Sequence, residues 1–143
     1  MATRIITTEL ERNLLIAFIT QHEIPMTVRV AKGKQRSVEQ NKLQRKWLNE
    51  AADQLQEYSA EEYRGYCKLH FAIPILRAED GQFCEKYDRI IMPLTYEQKL
   101  EAMMVPLDLP VTRMMTTKQK TAYLDLVYQH FTGLGVQLTE PGP

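Results

Sequence analysis

The chain has 143 residues, 44% of them hydrophobic and 25% charged, with no net charge. That length suits one core and makes two cramped, and a composition near the globular average excludes wholesale disorder. No apolar run approaches the roughly 20 residues that span a bilayer, and Glu9, Glu11 and Arg12 come too early for a signal-peptide core, so a soluble, cytoplasmic protein is expected.

In chain order, residues 4–6 read as a short strand. Thr8 and Glu11 then suit a helix cap. Leu10, Leu14, Leu15, Phe18 and Ile19 recur at helical spacing up to about His22. Beyond Pro25, residues 26–30 alternate apolar and polar, a strand pattern, and residues 32–35 read as a turn. Ser37 and Gln40 match a capping box. The helix they open should run over residues 38–58, with Val38, Leu43, Trp47, Leu48, Ala51, Ala52, Leu55 and Tyr58 on its apolar side.

Ser59 and Glu62 form another capping box, for a helix over residues 60–71 that Pro74 ends. Residues 75–95 look irregular. A short helix is expected over residues 96–104, then an extended stretch at 107–109 between Pro106 and Pro110. Thr117 opens the last helix, to about Thr132, with Ala122, Tyr123, Leu126, Val127 and Phe131 as its apolar positions. Gly133 and Gly135 stop it. Residues 136–138 form a closing strand or an extended tail, and 139–143 should fray. The expected fold is α+β: a mainly helical single domain over residues 1–143 with a small β-sheet.

Zero net charge hides an asymmetry. Residues 29–46 carry Arg29, Lys32, Lys34, Arg36, Lys42, Arg45 and Lys46 against Glu39 alone. Seven cations less one carboxylate make +6, which the remaining residues balance at −6. Segregation of that kind suits an anionic partner. Lysines and arginines neutralise phosphates and release counterions, while Gln40, Asn41 and Asn49 could donate to phosphates, sugars or base edges. Lys42, Arg45, Lys46 and Asn49 share one helical face. Trp47 falls with Leu43 and Leu55 on the apolar side, so core packing is expected of it ahead of base stacking.

The pattern carries no positive sign of catalysis, of a bound metal or of a cofactor. His22, His70 and His130 are far apart and sit in no metal-binding motif, Cys67 and Cys84 form no C-x-x-C pair, and nucleophile elbows and phosphate or dinucleotide loops are missing. The cysteines are expected to stay reduced. Asp88 with Glu97 and Lys99 loosely matches the D…E-x-K set of metal-dependent nucleases, in which two carboxylates hold a divalent cation. Such chemistry wants E-x-K on a strand, and this stretch reads as helix. A third alternative is a protein-interaction module whose basic patch meets an acidic tail.

The run Arg36-Ser37-Val38-Glu39-Gln40-Asn41, behind a basic turn and ahead of a tryptophan-bearing helix, resembles the signature of the phage NinB (Orf) recombination-mediator family. Thr112-Arg113-Met114, followed by a helix and then Gly135-Val136, is similar to that family's ending. The resemblance covers roughly residues 26–58 and 111–140; residues 72–110 lie outside it. It implies a homodimeric phage protein without enzymatic activity. Such a protein binds single-stranded DNA and the host single-strand-binding protein and helps a RecA-type recombinase to load. Arg36, Gln40, Asn41 and Arg113 carry over from the motif as nucleic-acid contacts. Lys32, Lys34, Lys42, Arg45 and Lys46 join them on electrostatic grounds alone.

Overall fold

The computed structural model describes residue 4, residues 6–30 and residues 36–140, with residues 36–38 described by backbone alone. The described residues are helical and contain no strand, which overturns the expected α+β fold and its small sheet. The chain divides into two compact units, Met1–Gln35 and Arg36–Pro143.

The first unit holds α1, Glu9–Gln21. The Thr8 hydroxyl accepts from the Glu11 amide at 3.1 Å, as its sequence suggests. The Glu11 carboxylate accepts from the Thr7 and Thr8 hydroxyls, so the reciprocal half of the capping box does not form. A helix with six consecutive apolar residues, Leu14 to Ile19, wants cover on every side, yet α1 buries none of its residues. Residues 26–30, expected as a strand, are irregular and exposed. Alternation gives a strand two faces but not the neighbour whose backbone completes its hydrogen bonds. Arg4 and Ile6 are likewise outside any strand. Ile5 and the turn expected at 32–35 lie outside the described residues.

The second unit begins with α2, Arg36–Leu55. It packs on α3, Ala60–Cys67, and on α7, Thr117–Gly133. Trp47, Leu48 and Ala51 of α2 meet Tyr63 and Cys67 of α3 and Tyr123, Leu124, Val127 and Phe131 of α7 in one core. Tyr63 and Phe131 cross edge to face at 5.3 Å, a favoured aromatic geometry. On α7, Leu124 takes the core position expected of Ala122 and Leu126, which are exposed. Tyr58 is exposed as well, beyond the end of α2.

Pro74 does not end the helix begun at Ala60. A five-residue π-turn, Lys68–Ala72, intervenes, and the chain continues as α4, Ile73–Glu79, with Pro74 in its first turn. The Ile73 amide reaches back five residues to the Lys68 carbonyl. That wider loop shifts the preceding carbonyls, so the proline ring enters without striking the turn before it. The stretch expected to be irregular then forms α5, Gly81–Ile90, capped by Asp80, whose side chain accepts from the Phe83 amide at 3.1 Å. α6, Tyr96–Ala102, follows with a complete Thr95–Gln98 capping box. Residues 107–109, expected to be extended, instead bend, with Asp108 left-handed at φ +47.

That bend is tied to α3 by charge. The Lys68 side chain is 1% exposed, and its ammonium donates to Asp108 Oδ1 at 2.6 Å and to the Met103 carbonyl at 2.7 Å. Arg64 donates to the same Asp108 oxygen at 2.8 Å and grips Glu61 through two further bonds. Nearby, Met104 lies so close to α3 that a Cβ on Gly65 would come within 2.5 Å of its Cγ.

The last helix opens at Thr117 as expected, with Thr116 as N-cap and Gln119 completing its box. It closes as a Schellman motif. Gly135 takes φ +89, its amide bonds the Thr132 carbonyl, and the Val136 amide bonds the Phe131 carbonyl. Residues 136–140 then run extended along α2 without forming a strand. Gln54 pairs with both backbone groups of Gln137, Glu50 accepts from the Thr139 amide and hydroxyl, and Trp47 Nε1 donates to the Thr139 carbonyl at 2.7 Å. Thr139, expected to fray, is thus held, and residues 141–143 lie outside the described set. No helix among the described residues is long and apolar enough to cross a membrane.

Candidate nucleic-acid interface

α2 presents opposite faces to core and solvent. Trp47, Leu48 and Ala51 are buried, whereas Lys42, Arg45, Lys46 and Asn49 are exposed. None of the three cations forms an ion pair among the described residues. Lys42 faces Arg45 and Lys46 at i+3 and i+4, and each like-charged pair costs an isolated helix about 0.2–0.5 kcal/mol. Glu50, at i+4 from Lys46, is drawn away to Thr139, and Glu39, at i−3 from Lys42, makes no ion pair among the described residues. A helix that retains such repulsion offers a concentrated, unneutralised positive strip.

Trp47 is 3% exposed with its indole N–H on the tail, so it supports this strip from behind. The core role expected of it holds. Two residues assigned by the resemblance serve the α2–α7 seam. Gln40 is half-buried, and its amide donates to the Thr121 hydroxyl at 2.9 Å instead of reaching back to cap α2. Asn41 stays exposed while its Oδ1 accepts from Lys120, a buried lysine whose ammonium burial makes less favourable and so pushes its pKa down. Gln44 donates to the Tyr123 hydroxyl at 3.0 Å in the same seam, where burial drives the phenol's pKa well up and keeps it neutral. Helical spacing could have revealed this, because Gln40, Gln44, Trp47 and Ala51 recur at offsets of four, three and four, on the core side.

Arg36 lies in the first turn of α2 with its side chain outside the described set, and Ser37 follows it inside the helix, not at the N-cap. Lys32 and Lys34 lie outside the described residues. Arg113 is exposed in the turn at 111–114 and makes no hydrogen bond or ion pair among the described residues. The structure therefore displays Lys42, Arg45 and Lys46 together on one surface and places Arg113 on a separate element.

The nuclease-like trio is not assembled. The Asp88 carboxylate is held by Arg77 through two bonds of 2.8 and 3.0 Å, and the guanidinium keeps its pKa low. Glu97 and Lys99 stand on helix α6. No group of three His, Cys, Asp or Glu residues among those described could hold a metal. Two histidines far apart in sequence do converge. Tyr66 lies 4.2 Å from the His70 ring and 5.2 Å from that of His130, centroid to centroid. His70 Nε2 meets the Tyr96 hydroxyl at 2.9 Å. Burial holds both imidazoles below the ordinary histidine range, the charge of His130 adding to the effect on His70. Aromatic–histidine spacing alone, at 66, 70, 96 and 130, carries no signal of this meeting. Comparison with family models, with curated proteins and with solved structures finds no match to this chain.

Proposed function

We propose that this chain is a non-catalytic single-stranded-DNA-binding protein whose contact surface is the Lys42, Arg45 and Lys46 face of α2. The observation that carries the reading is the uncompensated cation strip on a helix whose other face is clamped into a core. Fixed cations at helical spacing suit a flexible phosphate backbone and need no base-specific contact. Gln40 and Asn41, turned to the seam with α7, stand outside the contact. In the role implied by the likeness to NinB-type mediators, the chain assists a RecA-type recombinase on strands coated by the host single-strand-binding protein.

The test is fluorescence anisotropy with a labelled oligothymidine and its matched duplex across a salt series. Three phosphate contacts on a single strand give a log–log salt slope of about −2. Reversing Lys42, Arg45 and Lys46 to glutamate should abolish binding while the circular dichroism stays helical. Unchanged affinity in that variant refutes the assignment. Retention of an acidic protein tail without any DNA binding would reassign the same face to a protein partner.

A further inference from the structure

A cavity of about 230 Å³ opens beside the π-turn, lined by residues that no part of the α2 reading uses. That volume falls below the roughly 300–1,000 Å³ of most drug-sized sites, so it excludes a dinucleotide. Ile73 gives it a buried apolar floor. One wall is the bonded pair His70 and Tyr96, which the stacked Tyr66 and His130 support from behind. The wall is thus aromatic, fixed and carries a hydroxyl and an imidazole nitrogen.

Two cationic residues line the same cavity, in different states. Arg77 is neutralised by Asp88. Lys99 is half-buried at the cavity and forms no ion pair among the described residues. The π-turn is an independent pointer: such turns inside α-helices frequently fall at functional sites, and this one includes His70 and runs directly into Ile73.

We propose that this cavity binds one nucleotide bearing a 5′-phosphate, either free or at the end of a strand. The base lies over Ile73 against His70 and Tyr96, and the phosphate pairs with Lys99. A bare phosphate leaves the apolar floor uncovered, and a neutral ring leaves Lys99 unmatched; a nucleotide satisfies both. The assignment is independent of the α2 reading.

Isothermal titration of the full chain with adenosine 5′-monophosphate and thymidine 5′-monophosphate tests it, with adenosine, ribose 5-phosphate and inorganic phosphate alongside. Both nucleotides should bind more tightly than any of the other three. Lys99→Ala should weaken the nucleotides at least about tenfold and leave adenosine unaffected. Met92→Trp, which fills the cavity from its exposed rim, should abolish nucleotide binding with the helical signal intact. The variant with Lys42, Arg45 and Lys46 reversed should bind nucleotide normally, which separates this site from the α2 face. Competition by a 5′-phosphorylated oligonucleotide assigns the ligand to a strand end, and lack of competition to the free nucleotide. The proposal is overturned by equal affinity for ribose 5-phosphate, by nucleotide binding that survives Met92→Trp, or by no binding at millimolar nucleotide.

Discussion

Replacing Asp108 with alanine removes the carboxylate that meets the Lys68 ammonium. Lys68 is almost wholly buried, and only the Met103 carbonyl would then remain to it. Breaking a buried pair in this way costs about 3–5 kcal/mol. Asp108 is itself 30% exposed, so water takes up part of the loss and about 2–3 kcal/mol is expected. Alanine at φ +47 adds about 1–2 kcal/mol of backbone strain. Asparagine keeps an acceptor oxygen and tolerates the left-handed conformation, so it should lose only about 1–2 kcal/mol. Glycine relieves the strain but strands the ammonium, and should fall between the two. The assay is urea unfolding at pH 7 followed by far-ultraviolet circular dichroism. Asp108→Ala as stable as the parent, or Asp108→Asn as damaging as Asp108→Ala, would refute the reasoning. Lys68 and then Arg64 hold the Asp108 carboxyl below its ordinary 3.8. Its contribution is therefore complete above that value and is lost as pH falls through the folded-state value. Asp108→Asn should flatten this acid loss below pH 3.8.

Gly65→Ala brings a Cβ against Met104 and should cost about 1–3 kcal/mol despite the better helix former; adding Met104→Ala should recover part of it in a double-mutant cycle. Gln54→Ala removes both hydrogen bonds to Gln137 and should cost about 1–3 kcal/mol, with a red shift in the emission of Trp47, the single tryptophan; an unshifted spectrum would mean that the tail stays docked. Burial lowers the pKa of His70 and His130 below 6.5 in the folded chain. The unfolded state thus binds protons first, and the melting temperature should drop as pH falls from about 6.5. His130→Phe, which keeps the aromatic stack, should make that decline shallower between pH 7.5 and 5.

The features legible in the sequence are those decided within one or two turns of chain. Thr8, Ser59 and the glycine stop at Gly135 each act on backbone groups a few residues away, and their side chains announce it. Residues 26–30 mislead because pairing is non-local: Met26, Val28 and Val30 alternate with no strand beside them among the described residues. Pro74 misleads because the usual penalty assumes α-helical spacing, which the π-turn relaxes. The basic face was readable because exposure follows directly from helical period. The inward facing of Gln40 follows from the same period, but its partner Thr121, eighty-one residues away, does not. The ladder of His130, Tyr66, His70 and Tyr96 is a product of packing alone.

A π-turn contains one residue more than the α-helical turn it replaces, which makes the 68–72 segment a natural point of indel chemistry. Deleting one residue there would restore an α-helical turn of about the same angular sweep, so the side chains beyond it would keep roughly their facing. Pro74 would then sit inside an ordinary helix, at a cost of about 3 kcal/mol. Ile73 would keep its buried side, as would the Ser59 cap and the first turns of α3. The single surplus residue thus acts locally, as the widening that admits a proline into a helix running on from the core with α2 and α7 to the wall of the cavity.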